Sequence, residues 1–340
     1  MLLYSGAGLC LFLLLLNRHL ILIPDSRLKS PIILLSFLLV TGGAASFGWT
    51  HPHRPWVFVP IAVLALIIVG EIRRAVIRRS SAGSPYVDTT PCPIRLTRPF
   101  TTTDLVCRRY EVSCPNWSGP EFSIVHLTDL HIDPRMLDFY EQVFGVAEQH
   151  HPDLVFITGD FVSKRESLPA LRQLLRPLGK HGTFGVLGNH DYWTDADSVR
   201  SAVRDSGITL LANESTTVSV AGEPIRISGL DYPWDRSEES VPASEPGELH
   251  LVLSHTPDNI YRISRSGPDC VFSGHYHAGQ VRVPLVGSIV VPSVYGRRFD
   301  HGHFVVNGVH LFVAGGIGAA NPPFRIYCQP DVFIVGVSGG

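Results

Sequence analysis

The chain divides into two regions by its pattern of hydrophobic and polar positions. Up to Gly70 the sequence is dominated by Leu, Ile, Val, Ala and Phe, and from about Glu121 onward apolar runs alternate with charged residues, as in soluble domains. Three charge-poor stretches in the first region predict membrane-spanning helices: Leu2–Leu16, Pro31–Trp49 and Trp56–Gly70. The third is short against the roughly 20 residues that a spanning helix needs. We therefore predict two to three spans.

Basic residues beside these stretches predict the orientation of the chain in a membrane. Four cations follow the third stretch and two precede the second: Arg73, Arg74, Arg78 and Arg79, then Arg27 and Lys29. Because positively charged loops stay in the cytoplasm, three spans would put the C-terminal domain in the cytosol. A cleaved signal peptide needs a basic residue before its apolar stretch, and here the first basic residue follows it. We expect an integral protein of the cell membrane.

From residue 121 the pattern becomes that of an α/β domain. Strand-like apolar runs at Phe122–Thr128, Asp153–Thr158 and Thr183–Leu187 alternate with amphipathic helical stretches at Met136–His150 and Leu168–Lys180. Strands that alternate with helices are typical of a parallel sheet. The carboxyl ends of these strands are therefore expected to lie along one edge of a sheet.

The remainder of the chain favours a second sheet. After a helix predicted at Asp195–Asp205, Val218–Ile227 predicts a hairpin that turns at Ala221-Gly222. Asn307-Gly308 marks a second hairpin within an all-β stretch from Val281 to Val337. The predicted organisation has three parts: a transmembrane region at 1–79, a linker with one or two edge strands at 80–120, and a soluble domain at 121–340.

Charge and cysteine content exclude two classes of protein. The formal net charge is −2 and the pI is about 6.8, and the C-terminal region has no long basic run, so a nucleic-acid partner is not expected. The six cysteines have neither the CxxC spacing of a structural zinc site nor the density of a disulfide scaffold. We expect reduced thiols.

Five predicted strands end in polar clusters made of metal-ligating residue types. The clusters are Asp129-Leu130-His131, Gly159-Asp160, Gly188-Asn189-His190-Asp191, His255 and Gly274-His275-Tyr276-His277. Taken singly, Asp160 or Asn189 could be a turn residue, but turns need neither His275 nor His277. Carboxylate oxygen, amide oxygen and imidazole nitrogen without thiolate suit Mn²⁺, Fe or Zn²⁺ better than Mg²⁺. The set therefore predicts hydrolysis at a metal centre.

These clusters, in this order, resemble the signature of the calcineurin-like metallophosphoesterase superfamily, which reads DxH, GD, GNH[DE], a lone His and GHxH. The resemblance covers about Phe122 to Val337. It implies a four-layer α/β/β/α sandwich that hydrolyses phosphate esters or phosphoanhydrides with two divalent ions, Mn²⁺ before Fe or Zn²⁺. The implied ligands are Asp129, His131 and His277 for the first ion, Asp160 as a bridge, and Asn189, His255 and His275 for the second.

The resemblance also implies roles beyond metal binding. His190 would face the substrate phosphate and stabilise the transition state or protonate the leaving oxygen, with Asp191 orienting its ring. Arg297 or Arg298 lies where the family often has substrate-contacting loops, and a guanidinium matches phosphate, so we predict substrate binding there. Protein phosphatases of the superfamily carry GDxxDRG, which residues 159–165 lack, so a protein substrate is not expected.

The prediction that follows is a membrane-anchored phosphoesterase whose partners are the bilayer and a phosphorylated lipid or nucleotide-linked lipid at the cytoplasmic surface. Tyr276 and Ala278 stand where the family most often has Thr and Gly, and they are expected to narrow the pocket without removing a ligand. Two alternatives stay open. One is a non-catalytic membrane scaffold that keeps the fold, and the other is an enzyme whose catalytic domain lies outside the membrane.

Overall fold

The structure is a computed structural model that describes residues 2–22, 28–51, 58–88, 93–231, 233–235, 241–284 and 286–340. It divides into two compact units, the first made of Met1–Ser80 with Ile289–Arg298 and the second of Ser81–Ser288 with Phe299–Gly340. Arg27, part of the predicted cytoplasmic charge, and Trp56, the start of the third apolar stretch, lie outside the described residues.

The first unit is helical. Its helices are α1 (Leu2–Leu22), α2 (Lys29–Phe37), α3 (Gly43–Thr50) and α4 (Phe58–Ser80). A π-helical turn, Leu38–Gly42, joins α2 to α3, so Lys29–Thr50 is a continuous helix of 22 residues. By length and composition it is the one described helix able to cross a membrane, and Leu2–Leu16 is a shorter apolar stretch. The count of two to three spans stays a prediction.

The second unit is built on two large mixed sheets with helices beside them. Its strands are β1 (Val87–Asp88), β2 (Val106–Cys114), β3 (Phe122–Leu127), β4 (Leu154–Thr158), β5 (Thr183–Val186), β6 (Thr209–Leu210), β7 (Ser215–Val220), β8 (Glu223–Leu230), β9 (Leu249–Ser254), β10 (Cys270–Ser273), β11 (Arg282–Val283), β12 (Gly287–Ser288), β13 (Gly302–Val306), β14 (Val309–Val313) and β15 (Asp331–Gly339). Its helices are α5 (Leu137–Gln149), α6 (Leu168–Leu174), α7 (Asn189–Asp205) and α8 (Ile260–Ile263).

The strand order explains where polar chemistry can gather. The larger sheet has the order β1-β2-β15-β3-β4-β5-β6, and β3 to β6 run parallel to one another. The smaller sheet has the order β13-β14-β10-β9-β8-β7, and β8, β9, β10 and β14 run parallel. Parallel strands end at the same edge, so each sheet presents a row of carboxyl ends.

Two hydrophobic clusters hold the layers together. Phe156 and Phe333 of the larger sheet meet Phe272 and Phe312 of the smaller one in a shared core. Alternate residues of the larger sheet, such as Ile157, pack instead against α5, α6 and α7. The α/β class, with two packed sheets and flanking helices, is confirmed, and no disulfide joins the cysteines of the described part.

Several local elements differ from the sequence prediction for identifiable reasons. Helix α6 ends at Leu174 rather than Lys180, because Pro177 disfavours helical backbone at the residue before it. Helix α7 begins at Asn189, not Asp195, and is kinked at Asp195. Both predicted hairpins are confirmed, with left-handed backbone at each two-residue turn.

The sequence did not predict where the C-terminal strand, β15, lies in the sheet. β15 lies between β2 and β3, parallel to the former and antiparallel to the latter. The nine-residue strand β2 is therefore an interior strand of the larger sheet, and the short β1 forms its edge. Residues before 121 thus contribute two strands to the second unit.

Two histidines of the second unit, His126 and His250, are buried and uncharged. His126 contacts the rings of Phe272 and Phe333, and His250 binds the hydroxyls of Ser228 and Ser244. Burial lowers the pKa of His126 to about 3 and that of His250 to about 4. Both imidazoles are therefore neutral at neutral pH.

We expect His250→Asn to reduce the acid sensitivity of the fold. Between pH 6.5 and 4 the unfolded chain binds a proton at residue 250 that the folded chain excludes, so stability is lost as the pH falls through this window. Removing the group should shrink the loss between pH 7.5 and 5.0 by about 1 kcal/mol. Melting temperatures of the full chain at both pH values measure this, with the exposed His151→Asn as control. An equal loss in both variants would contradict the assignment.

Candidate metal centre

The predicted ligands follow five parallel strands, three in one sheet and two in the other. In the larger sheet β3 leads to Asp129 and His131, and β4 leads to Asp160. Asn189 follows β5 as the first residue of α7. In the smaller sheet β9 leads to His255, and β10 leads to the loop of His275 and His277. The carboxyl ends of both sheets thus meet at one site.

The side chains form two groups that share one carboxylate. Asp129, His131, Asp160 and His277 each offer a ligand atom, all within 4.8 Å of one another, and Asp160, His255 and His275 form the second such group. Asp160 Oδ2 lies 3.5 Å from His131 Nε2 and 3.3 Å from His255 Nε2. Its position between the groups is the one that the resemblance implies for a bridging ligand.

The first group is tightly clustered around its imidazole nitrogens. The Nε2 atoms of His131 and His277 are 3.0 Å apart, and the two rings are nearly parallel. Asp129 Oδ1 lies 3.2 Å from His277 Nε2. Two ring nitrogens and a carboxylate oxygen that face one another at these distances can all donate lone pairs to one cation.

Unpartnered buried atoms test whether metal ions fit here. Asp129 Oδ1, Asn189 Oδ1 and His255 Nε2 are buried and have no hydrogen-bond partner among the described residues. Leaving such an atom unsatisfied costs about 1–3 kcal/mol, and more when the group is charged. Cations bound by the two groups would satisfy Asp129 Oδ1 and His255 Nε2, so the residues fit a divalent metal centre.

The other atoms of the same side chains are fixed by hydrogen bonds. Asp129 Oδ2 accepts hydrogen bonds from the Thr128 hydroxyl at 2.8 Å and the His275 N–H at 2.9 Å. Asp160 Oδ1 accepts one from the His190 N–H at 2.8 Å. His255 Nδ1 donates to the Thr158 carbonyl at 2.6 Å, so Nε2 carries the lone pair once the ring is neutral. These contacts orient the free atoms toward the site.

His277 has a neighbour that the sequence did not reveal. The guanidinium of Arg325 is fully buried, donates from Nε to the Gly318 carbonyl at 2.9 Å, and places Nη2 at 3.3 Å from His277 Nδ1. Gly318 in turn donates its N–H to the Asp129 carbonyl at 2.8 Å. Arg325 therefore connects His277 to Asp129 on the side away from the site. No local pattern in the sequence distinguishes it from a surface arginine.

The backbone of the site is strained. Five candidate ligands have left-handed φ angles: Asp129 at 49°, His131 at 40°, Asp160 at 54°, His275 at 67° and His277 at 50°. Each such residue costs on the order of 1 kcal/mol and persists only where the surrounding structure enforces it. The concentration of these angles on one set of side chains is independent support for a functional site.

Two glycines of the motifs are required by close approach. A Cβ atom on Gly274 would overlap Asp129 Oδ2, and one on Gly188 would overlap Asp160 Oδ1. Only glycine lets each backbone come this near to a ligand carboxylate. The glycines that precede Asn189 and His275 in the sequence pattern are therefore explained by steric constraint.

Electrostatics puts most of the ligands in the form that metals need. Burial raises the pKa of Asp129 and of Asp160, but the nearby imidazoles, chiefly His277 for the first and His255 for the second, outweigh it and hold both values below the ordinary range. Burial, together with the charge of His255, lowers the pKa of His275 to about 3. Both carboxylates are therefore ionised and His275 is neutral.

His255 carries a competing proton. Burial lowers its pKa, but the charge of Asp160 outweighs burial and raises the pKa to about 9. Because a ligand nitrogen must be unprotonated, an ion that binds His255 has to release this proton. Acidic conditions therefore oppose occupancy of the second group.

His190 and Asp191 lie beside the ligands. The half-buried ring of His190 is 4.8 Å from that of His131, and its Nδ1 is 3.3 Å from the Ser163 hydroxyl. Asp191 accepts hydrogen bonds from the N–H groups of Gly188 and Val162, so it ties together the loops that follow β4 and β5. Burial, with the charge of Asp160, raises the pKa of Asp191 to about 8. Its orienting role toward His190 stays a prediction.

The remaining predicted site residues have defined surroundings. The Tyr276 ring is buried, and its hydroxyl donates to Asp258 at 2.6 Å, which braces the loop that follows His255. Arg297 and Arg298 belong to the first unit, where Arg297 pairs with Glu71 of α4 at 2.5 Å and Arg298 lies over the Tyr295 ring. A phosphate would have to compete with Glu71 for Arg297, and the substrate role of both arginines stays a prediction.

Comparison with known proteins agrees with this arrangement. The family model for calcineurin-like phosphoesterases matches residues 122–279, which include all seven candidate ligands. The phosphodiesterase YaeI of Escherichia coli (strain K12) is 31% identical over 62% of this chain and 80% of its own length. A metallophosphoesterase of Aquifex aeolicus (strain VF5) is 30% identical over 65% and 87%, and YkoQ of Bacillus subtilis (strain 168) is 28% identical over 62% and 82%.

The chain belongs to the calcineurin-like phosphoesterase family. It is therefore a metallophosphoesterase, a hydrolase that acts on phosphoester bonds and uses divalent metal ions. In this member of the family, the buried Asp and His side chains described above are the residues that could hold the ions.

We expect the purified chain to bind about two equivalents of Mn²⁺ after chelation and reloading. Asp160→Ala should lose most of both, because both groups share this carboxylate, whereas His275→Ala should keep about one equivalent. Metal analysis after desalting measures the stoichiometry, with His181→Ala as a control outside both groups. Equal losses in Asp160→Ala and His275→Ala would argue against a shared ligand.

Proposed function

We propose that this phosphoesterase hydrolyses a phosphate ester or phosphoanhydride bond of a phosphorylated lipid or nucleotide-linked lipid at a membrane surface, with two divalent ions, Mn²⁺ preferred. The observation that carries the proposal is the pair of ligand groups joined by Asp160, in a chain that also has an apolar helix of 22 residues at Lys29–Thr50. The assigned ligands are Asp129, His131, Asp160, Asn189, His255, His275 and His277.

The chemistry follows from the residues present. Two divalent ions held in such a site activate water and stabilise charge on phosphoryl oxygens. Hydrogen bonds from Thr128 and His275 fix Asp129 Oδ2, and one from His190 fixes Asp160 Oδ1. The carboxylates are therefore already oriented, and little reorganisation is needed when substrate arrives. His190, fixed by its N–H bond to Asp160, presents its ring beside the ligands as the candidate proton donor for the leaving oxygen.

The membrane part of the proposal rests on the first unit. Leu34, Leu35, Leu38 and Leu39 of the Lys29–Thr50 helix are all more than half exposed, as expected for side chains that contact lipid. A substrate with a lipid moiety would reach an enzyme anchored in this way by diffusing in the plane of the bilayer. The alternative of a non-catalytic scaffold predicts loss of at least one ligand, and the described site keeps all seven.

Hydrolysis assays test the proposed chemistry. With Mn²⁺, the full-length protein should hydrolyse bis(p-nitrophenyl) phosphate or a lipid pyrophosphate. We expect His190→Ala to lower kcat by about 100-fold or more, as for loss of a group that stabilises the transition state or protonates the leaving oxygen, while the metal content is kept. Asp160→Ala should lose both activity and metal. Failure of the wild type on both substrates, despite bound metal, would refute the proposal.

Protease accessibility tests on which side of the membrane the catalytic unit lies. In right-side-out vesicles a protease added outside should leave the second unit intact, because the basic residues after the apolar stretches predict a cytosolic position. Inverted vesicles are the matched control and should yield cleavage. Digestion in right-side-out vesicles would place the enzyme outside the membrane instead.

A further inference from the structure

Two tryptophan rings lie against histidines of the candidate metal centre and its surroundings. The Trp234 ring is 5.3 Å from the His255 ring and 5.5 Å from the His275 ring. The Trp193 ring is 5.0 Å from that of His190, whose N–H binds Asp160. Neither indole is a core residue, since Trp193 is 50% exposed and Trp234 is only partly buried.

His277 and Asp129 of the first ligand group have other close neighbours. His277 is flanked by His131 and by the buried guanidinium of Arg325, and Asp129 is covered by the backbone of Gly316. The Trp193 ring packs against His190, which neighbours His131, and the Trp234 ring packs against His255 and His275. An organic group attached to a bound phosphate could contact these two rings.

Hydrogen bonds to Asp231 connect the two chain segments that carry the indoles. Tyr192, the residue before Trp193, donates its hydroxyl to Asp231 at 2.8 Å. Asp231 also accepts the Leu187 N–H at 3.3 Å, and its carbonyl accepts the Trp234 N–H at 3.1 Å. The start of α7 and the turn after β8 are thus connected through Asp231, so the backbone segments that carry the two rings are held together before substrate binds.

We propose that Trp193 and Trp234 determine substrate specificity by packing against the organic group that is esterified to the bound phosphate, and that this group is apolar or aromatic. The inference rests on the proposed function and names the class of substrate more closely. An exposed indole offers a large rigid apolar face that loses little conformational freedom on contact, which explains a tryptophan in this place. A small hydrophilic phosphoester would leave both faces unused.

Non-hydrolysable phosphonates separate binding of the organic group from the chemistry. Methyl-, butyl- and phenylphosphonate carry the same charged head and differ only in the group that the indoles would contact. Calorimetric titration of the Mn²⁺-loaded full-length protein should give tighter binding of phenyl- or butylphosphonate than of methylphosphonate by about five- to ten-fold. Stronger binding of the phenyl compound would indicate a flat group such as a base, and stronger binding of the butyl compound an acyl chain.

Variants assign that preference to the tryptophans. Trp193→Ala and Trp234→Ala should each reduce the preference, the double variant should bring it to about one, and the Phe variants should keep most of it. Trp49→Ala, which removes an exposed tryptophan of the first unit, is the matched control and should bind as the wild type does. Metal content, measured in parallel, shows whether a variant has kept the site.

The outcomes separate this inference from the proposed function. Equal binding of all three phosphonates by the wild type, or a preference that persists in the double variant with its metal retained, overturns the role of the tryptophans. Hydrolysis of bis(p-nitrophenyl) phosphate without binding of any phosphonate overturns it as well and leaves the proposed function standing. Loss of both hydrolysis and phosphonate binding in metal-loaded wild type refutes the proposed function first.

Discussion

One buried carboxylate, Asp160 at the end of β4, connects the parts of the site. Its Oδ2 faces His131 of the larger sheet and His255 of the smaller sheet, and its Oδ1 is fixed by the N–H of His190. Burying an ionised carboxylate is costly unless cationic or hydrogen-bonding partners surround it. The imidazoles and the backbone N–H provide such partners, and two sheets must pack face to face to bring them together. The sandwich architecture is thus the frame that makes one shared ligand possible.

That constraint accounts for the features of the backbone around it. Residues that leave a strand end and return toward the same point must turn sharply, which explains left-handed φ angles at Asp129, Asp160 and His277. Where one loop passes a ligand carboxylate, a side chain cannot fit, so glycine is required at Gly188 and Gly274. The strain is offset by the hydrophobic cores on both sides of the larger sheet, in which Phe156 and Ile157 are completely buried.

The parts of this molecule that could be predicted from sequence are those encoded locally. Each ligand cluster follows a short apolar run, and each hairpin has a two-residue turn with glycine, so spacing alone indicated the strands and the converging polar ends. The position of β15 could not be predicted, because its pairing with β2 and β3 joins residues about two hundred positions apart and depends on which face each strand buries. Arg325 was missed for a related reason: only the folded core distinguishes a buried guanidinium from a solvated one.

The start of α7 shows how catalysis and specificity can be encoded separately in one short segment. Asn189, His190 and Asp191 point toward the ligands and the neighbouring loops, and they lie at the end of β5, where the position of the backbone is set by the sheet. Trp193 follows within one turn, yet half of its surface is open to solvent and no strand fixes it. A substitution there would alter the wall of the site and leave every candidate ligand in place. A chain built in this way can keep its metal chemistry while the organic group that it accepts changes, because the two properties depend on residues with different structural constraints.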